Sequence, residues 1–295
     1  MKIGLGTVQF GQNYGVSNRQ GITPEDEVRQ ILAFAWGNGI TLLDTAALYG
    51  ASEKVLGRSI PPHASFRIVT KTPVFQETTI NKKDASRLKD TFRSSLDKLR
   101  QPKLYGLLVH HADDLLKDGG QYLWEGMQDL KEMGLVQKVG ASLYSPLELN
   151  CLLERYSPDI VQVSINVFDQ RMIQLGLLQH LNGLGVEIHS RSVFLQGLLL
   201  MSPEELPVHF NSIRNVVLQY REDLQEHDID PLEAALTFVY NQPEIDYVIV
   251  GINKQAHLKE ILNVVQDMDL LRSINFSRYA LNEEAIINPS LWSLR

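Results

Sequence analysis

The chain has 295 residues, 44% hydrophobic and 21% charged, with a formal net charge of −7. That length and apolar content can bury a core without disulfide or metal staples, and lies within the range of a single α/β barrel. The acidic balance and the lack of a basic stripe exclude a nucleic-acid surface, which needs cations to neutralise phosphates.

The opening MKIGLGTVQFG is interrupted by Gly and Gln before a secretory apolar stretch can form, and no window approaches the roughly 18 unbroken apolar residues of a membrane helix. The chain therefore reads as cytoplasmic, with no membrane partner, and it specifies no oligomeric state. Its first dozen residues precede a regular alternation and are expected to form a β-hairpin that plugs a barrel floor. The stretch TPEDEVRQILAFAWGNG reads as a helix, with Thr23 as N-cap, Pro24 in the first helical position and a stop near Gly37 or Gly39. Apolar strand-like runs follow at 39–46, 66–71, 104–110, 136–142, 159–166, 185–192 and 246–252, with a weaker eighth at 272–277. Between them, NKKDASRLKDTFRSSLDKLR is amphipathic and halted by Pro102. SPLELNCLLERY opens with Ser145 and has Glu148 three residues on, a capping box. It carries the lone cysteine, Cys151, expected to be a small core residue.

Strand–helix alternation implies a parallel sheet, because parallel neighbours need crossovers. No linker or composition break divides the chain. The expected architecture is one α/β domain over 1–295, a (β/α)8 TIM barrel with an N-terminal β-hairpin plug.

In such a barrel chemistry gathers at the C-terminal ends of the strands. The first run ends in Asp44, the second in Lys71, the third in His110 and the fourth in Ser142; the fifth carries Gln162 and Asn166, and the sixth ends in Arg191 and Ser192. Tyr49 lies five residues after Asp44. Any one of these, taken alone, is more often the start of a solvated loop. Asp, Tyr, Lys and His together suggest a proton relay. A tyrosine hydroxyl ordinarily titrates near ~10, a lysine ammonium nearby favours its phenolate, and an aspartate keeps that lysine charged. A neighbouring histidine can orient a carbonyl or share the proton. Such a set suits protonation of a carbonyl oxygen while hydride arrives from elsewhere.

Other signals fail. GLGTVQFG lacks the third glycine of a dinucleotide fingerprint and does not lie between a strand and a helix. His110 and His111 are adjacent on a strand and point to opposite faces, so they make a poor metal pair, and no metal is expected. Neither a nucleophile elbow nor a phosphate-gripping loop is present.

Along nearly the whole chain, GLGTVQFG, LLDTAALYGASEKVLGRSI, VTK, LLVHHAD, VGASLY, VQVSIN and VIVGINKQAHLKEIL resemble the aldo-keto reductase family. The segment from Asp44 to Gly57 is the most specific part. The resemblance implies a TIM barrel that reduces a small-molecule carbonyl, with an extended nicotinamide cofactor and no Rossmann domain. It implies Asp44, Tyr49, Lys71 and His110 as the catalytic set, Tyr49 being the general acid. It implies Ser142 and Gln162 at the nicotinamide carboxamide with Asn166 close behind, Ser192, Leu195 and Gly197 along the pyrophosphate, and Thr7 and Asp44 among the cofactor-binding residues. Arg191 stands where many members carry an aromatic that stacks on the nicotinamide. At the adenosine end Gly251, Asn253, Lys254 and His257 are implied, with NADPH preferred and NADH as the alternative. Leu143 replaces a family Asn, and Gly251, His257 and Ile261 replace a Lys, Arg and Asn frequent in NADPH-specific members. For the substrate pocket the resemblance offers Tyr14, Phe75, His111, Asn166, Phe168 and Trp292. His111 in place of a frequent tryptophan, with Arg191 and Asn166, points to a polar, hydroxylated or sugar-derived carbonyl. The competing reading is a cofactor-binding regulatory protein of the same fold with little turnover.

Overall fold

The computed structural model describes residues 1–266 and 274–292. Its strands are β1 Ile3–Gly6, β2 Leu42–Asp44, β3 Arg67–Lys71, β4 Leu104–Val109, β5 Val136–Leu143, β6 Ile160–Ser164, β7 Glu187–Arg191 and β8 Tyr247–Gly251. They pair in parallel and in chain order, and β1 pairs with both β2 and β8, so the barrel is closed. Helices fill the crossovers and pack an apolar shell against the outer strand faces. No helix among the described residues is long and apolar enough to cross a membrane.

The missing eighth strand is therefore Ile3–Gly6, and residues 1–12 form a barrel strand and a 3-10 turn at Val8–Phe10 rather than a hairpin plug. Glycines disguise it. A Cβ on Gly4 would come within 2.7 Å of Ile249 Cδ1, so the side chain of β8 occupies the space that a β-former in β1 would need. Of the run proposed as a strand at 272–277, Arg272 and Ser273 lie outside the described residues, and Phe276–Tyr279 is a 3-10 turn. Thr23 does not cap its helix. Pro24 takes that place ahead of Glu25–Gly37, and the Thr23 hydroxyl accepts from Asn253 Nδ2 at 3.4 Å. Ser145 and Glu148 do form a capping box, and Cys151 is half-buried.

Alternate residues of a strand share a face, and this period stacks the barrel interior in layers. Arg67, Val69 and Lys71 climb β3, Glu187, His189 and Arg191 climb β7, and Tyr247, Ile249 and Gly251 climb β8. The middle layer is apolar, formed by Leu42, Val69, Leu108, Ile160 and Ile249. The floor is a polar plug of side chains: Glu187 accepts from Tyr105 Oη at 2.7 Å and Lys138 Nζ at 2.5 Å, and its other oxygen meets His189 Nε2 at 2.9 Å. Arg67 closes the ring on the Tyr247 hydroxyl at 2.7 Å. A second apolar body, including Phe168, Leu195, Phe210, Tyr220 and Tyr279, packs beside the barrel.

Candidate active site

The top layer begins with three strand ends. Lys71 Nζ donates to both oxygens of Asp44 at 2.7 Å and to the Thr45 carbonyl at 3.1 Å. Gln162 Nε2, from β6, donates to Asp44 Oδ1 at 2.8 Å. The side chains of Lys71 and Asp44 are only 1% and 6% exposed, so this ion pair is held by geometry and by added hydrogen bonds rather than by solvent.

Tyr49 enters from the loop after β2. Its placement depends on two backbones in close approach: Ala51 N–H donates to Gly11 O, and a Cβ on Gly11 would sit 1.9 Å from Tyr49 O. Ser52 and Glu53 of the same motif are anchors. Ser52 Oγ joins Thr7 and Thr45, Thr7 Oγ1 donates to Asp44 O at 2.9 Å, and Glu53 accepts from Thr70 Oγ1 at 2.8 Å. Lys71 Nζ lies 5.1 Å from the Tyr49 ring centroid, and the His110 ring meets Tyr49 edge-on at 5.7 Å.

Burial, followed by the Asp44 carboxylate, pushes the Tyr49 hydroxyl well above its usual range, while the Arg191 guanidinium draws it down. This differs from the expectation that Lys71 lowers it, because the Lys71 ammonium is bound to Asp44. Burial also lowers Lys71 despite Asp44. His110 is pushed down to about 2 by burial, with Lys71, His111 and Arg191 acting in the same direction, so its imidazole is neutral. Its backbone N–H donates to Thr72 Oγ1, and its buried Nδ1 has no partner. His111 is exposed beyond the strand end, its ring perpendicular to that of His110 at 5.3 Å.

These groups open into a cleft of about 540 Å³ that runs from Tyr49, Lys71 and His110 to Asn253, His257 and Glu260. Two loops form one continuous wall: Val16 N–H donates to Gln196 O at 3.0 Å, and Gly197 packs on Ser17 so closely that a Cβ would sit 1.9 Å from Ser17 Oγ. Ser192, Leu195, Gln196 and Gly197 all have left-handed φ, at 60°, 46°, 55° and 93°. Strain at non-glycine residues of this kind concentrates where a backbone serves a ligand.

A sequence model of the Aldo/keto reductase family matches residues 2–275, most of the chain, including every group just described except part of the second apolar body. The chain belongs to the aldo-keto reductase family. Members are oxidoreductases that act on carbonyls with NAD(P)H. An aldo-keto reductase of Bombyx mori, AKR2E4, is 30% identical over 179 residues, which is 57% of this chain and 57% of that relative. Over 94% of this chain and 89% of the other, the fold matches aldo-keto reductase AKR11C1 from Bacillus halodurans in its holo form, with a TM-score of 0.72 at 18% identity. The glycerol dehydrogenase AKR11B4 from Gluconobacter oxydans matches over 93% of each chain, with a TM-score of 0.65 and 18% identity. At that identity the two structures support the fold alone.

Within this aldo-keto reductase the cleft is lined by Thr7, Tyr14, Ser142, Gln162, Arg191, Ser192, Gly197, Gly251, Asn253 and His257 together with the four proton-handling residues. Several residues expected at the cofactor or substrate lie elsewhere. Leu195 and Phe168 are fully buried in the second apolar body, where Trp292 packs edge-on against Phe210 and donates from Nε1 to Ile286 O. Phe75 is buried in the helix–strand shell under the Arg87 guanidinium. Asn166 is a buried loop staple, donating to Ser192 O and accepting from the Phe168 and Asp169 N–H groups. Lys254 is exposed and does not line the cleft. For the buried side chains, loop packing, which the strand pattern does not encode, turned them away.

Sequence reasoning overlooked Gln9 and Tyr144. Gln9 lies against Gly251, where a Cβ would come within 2.6 Å of Gln9 Nε2, and its buried Oε1 has no partner. Tyr144 directly follows the strand-end pair Ser142-Leu143, and its ring supports the Arg191 guanidinium at 3.9 Å. A polar residue inside the apolar TVQF turn, and an aromatic one step past a strand end, were the available signals.

Proposed function

We propose that the protein is an NAD(P)H-dependent reductase that converts an aldehyde or ketone to an alcohol, with Tyr49 as general acid. The observation that carries this reading is the convergence of Asp44, Lys71, Tyr49 and His110 at one end of a cleft whose lining continues to Asn253, His257 and Glu260. The cleft suits that cofactor. Gln162 spends its amide N–H on Asp44, which leaves its oxygen as an acceptor beside Ser142. The unpartnered Gln9 Oε1 and the bare Cα of Gly251 make a cradle further along. The bound dihydronicotinamide supplies hydride to the carbonyl carbon.

The chain's own residues handle the proton. The Tyr49 hydroxyl, protonated throughout the neutral range, donates to the carbonyl oxygen as negative charge develops there, and the Arg191 guanidinium, which draws the hydroxyl down, stabilises the resulting phenolate. Neutral His110 offers a ring nitrogen to the same oxygen without competing as an acid. Asp44 holds Lys71 in place, and the apolar layer beneath keeps water from entering through the barrel. NADPH is the preferred form, with His257 lining the adenosine end of the cleft, and Glu260 keeps NADH as the alternative. The cleft walls Tyr14, Tyr144 and Arg191 favour a polar, hydroxylated substrate.

A panel of aldehydes and ketones offered with NADPH and with NADH, followed by cofactor absorbance, tests the reading. Tyr49→Phe is expected to lower kcat by roughly 10²–10⁴-fold with cofactor affinity retained. Undiminished turnover in that variant removes Tyr49 as the acid. Cofactor binding without turnover of any carbonyl favours a regulatory protein of the same fold.

A further inference from the structure

Glu53 is a buried carboxylate that the proton-transfer chemistry does not use. It is 2% exposed and lies four residues after Tyr49, in the first turn of the helix Ser52–Ser59. Its Oε1 accepts from Thr70 Oγ1 at 2.8 Å. Its Oε2 lies 3.5 Å from Lys98 Nζ, at ion-pair distance but without a hydrogen bond. A carboxylate so placed is costly to bury, and an apolar side chain of similar volume commonly serves stability as well or better. Stability alone therefore gives little reason for it, and its partners point to position.

Thr70 is the residue before Lys71, and neighbours on a strand face opposite sides. Inside the barrel, Asp44 holds the Lys71 ammonium. Outside it, Glu53 holds the strand one residue earlier. The same helical turn reaches Tyr49: Ser52 N–H donates to Tyr49 O at 3.0 Å, and Ser52 Oγ donates to Thr7 O at 2.8 Å. Two consecutive side chains thus tie the loop that carries Tyr49 to β1 and to β3. The helix Lys82–Leu99 backs this hold, since a Cβ on Gly57 would fall 2.1 Å from Lys98 O, and that approach brings the Lys98 side chain to Glu53. Lys71 donates to Asp44 and Thr45, not to Tyr49, so the 5.1 Å between its Nζ and the Tyr49 ring centre is set by the elements that carry them.

Resting on the reductase reading, we propose that Glu53 is a positioning residue for proton transfer: through Thr70 it fixes the strand that carries Lys71 against the helix that follows Tyr49. It does not line the cleft. The two-loop wall at Ser17 and Gly197 involves neither Glu53 nor Thr70. Loss of the clamp therefore acts on turnover rather than on binding, because a displacement of about 1 Å at the reacting groups can lower a rate 10²-fold.

The test is Glu53→Leu, Glu53→Gln, Thr70→Val and the double variant Glu53→Leu/Thr70→Val, assayed for kcat, KM and dinucleotide affinity, with circular dichroism as the check on folding. Glu53→Leu and Thr70→Val are each expected to lower kcat by roughly 10- to 100-fold, with KM and affinity within about threefold of the wild type. Glu53→Gln, whose amide oxygen still accepts from Thr70, is expected to restore most of the kcat lost in Glu53→Leu. The double variant is expected to match the worse single one, since both remove the same bond. Wild-type kcat in Glu53→Leu or in Thr70→Val overturns the proposal. So does a loss in both that comes with an equal loss of dinucleotide affinity, which would mark a general distortion. If Glu53→Leu fails to fold, Thr70→Val, which exchanges a hydroxyl for a methyl group, carries the test alone. If the wild type turns over no carbonyl, the reductase reading fails separately, and the crystal structure of Thr70→Val decides this one. A shift of Lys71 Nζ relative to the Tyr49 ring of more than about 0.5 Å supports the positioning role, and coincidence with the wild type within that distance refutes it.

Discussion

Lys71 grips both carboxylate oxygens of Asp44 at equal distances of 2.7 Å, in a position where neither side chain is reached by more than a trace of water. The pair is a positioning device and a structural commitment. Replacing Asp44 by Asn leaves a buried ammonium without its counter-charge, and the expected cost is about 3–5 kcal/mol of folding stability. Denaturant unfolding of Asp44→Asn measures it, and a midpoint matching the wild type would show that the ammonium finds another partner. Reductase turnover is expected to fall with it, because Lys71 would no longer be held against the Tyr49 ring.

The neutrality of His110 has a consequence for pH. Its pKa lies at about 2, so it does not titrate between pH 5 and 8 and contributes no acidic limb to kcat/KM in that window. The raised Tyr49 likewise keeps the acid form present up to pH 9. A flat profile from pH 5.5 to 8.5 is expected. A limb near pH 6.5 that disappears in His110→Gln would contradict it.

The two-loop wall is most exposed to change at Gly197. Alanine there has an unfavourable φ of 93° and places its Cβ 1.9 Å from Ser17 Oγ, so the loops must separate. Gly197→Ala is expected to weaken dinucleotide binding by roughly tenfold, the usual scale of an overpacked contact. Ser17→Gly in the same chain removes the struck atoms and restores part of the loss, while the φ strain remains. Fluorescence titration of the single and double variants reads both effects, and an unaltered affinity in Gly197→Ala would show that the wall does not hold the cofactor.

The floor plug predicts acid sensitivity of the fold. Burial alone would raise the Glu187 carboxyl, but hydrogen bonds from His189, Lys138 and Tyr105 outweigh it and hold it at about 2, below its ordinary 4.5. A carboxyl depressed in the folded state stabilises above the unfolded value, and that contribution is lost as pH falls from about 4.5 towards 2. Glu187→Gln is expected to lower stability by about 1–3 kcal/mol at pH 7. The gap to the wild type should close below pH 3 in urea unfolding, and a gap independent of pH would rule out the ionised carboxylate as its source.

The strands from Leu42–Asp44 to Tyr247–Gly251, the ends that carry Asp44, Lys71, His110, Ser142 and Arg191, and the loop that carries Tyr49 were legible in the sequence. Strand periodicity and position at a strand end are local properties, and a parallel barrel converts them directly into a ring of side chains. Local propensity failed at Ile3–Gly6, whose glycines look unlike a strand because the Ile249 side chain fills the volume a Cβ would take. It failed again for Phe75, Asn166, Phe168 and Trp292, whose directions depend on which apolar body each loop covers. The side-chain plug at the floor and the support of Arg191 by Tyr144 join residues tens of positions apart in the chain. The sequence alone thus determined which chemical groups stand at the mouth of the barrel. Only the tertiary structure decided which charges are cancelled there, Lys71 against Asp44, and which is held by neutral acceptors and an aromatic ring, Arg191, because charge compensation is a matter of distances across the barrel and not of spacing along the chain.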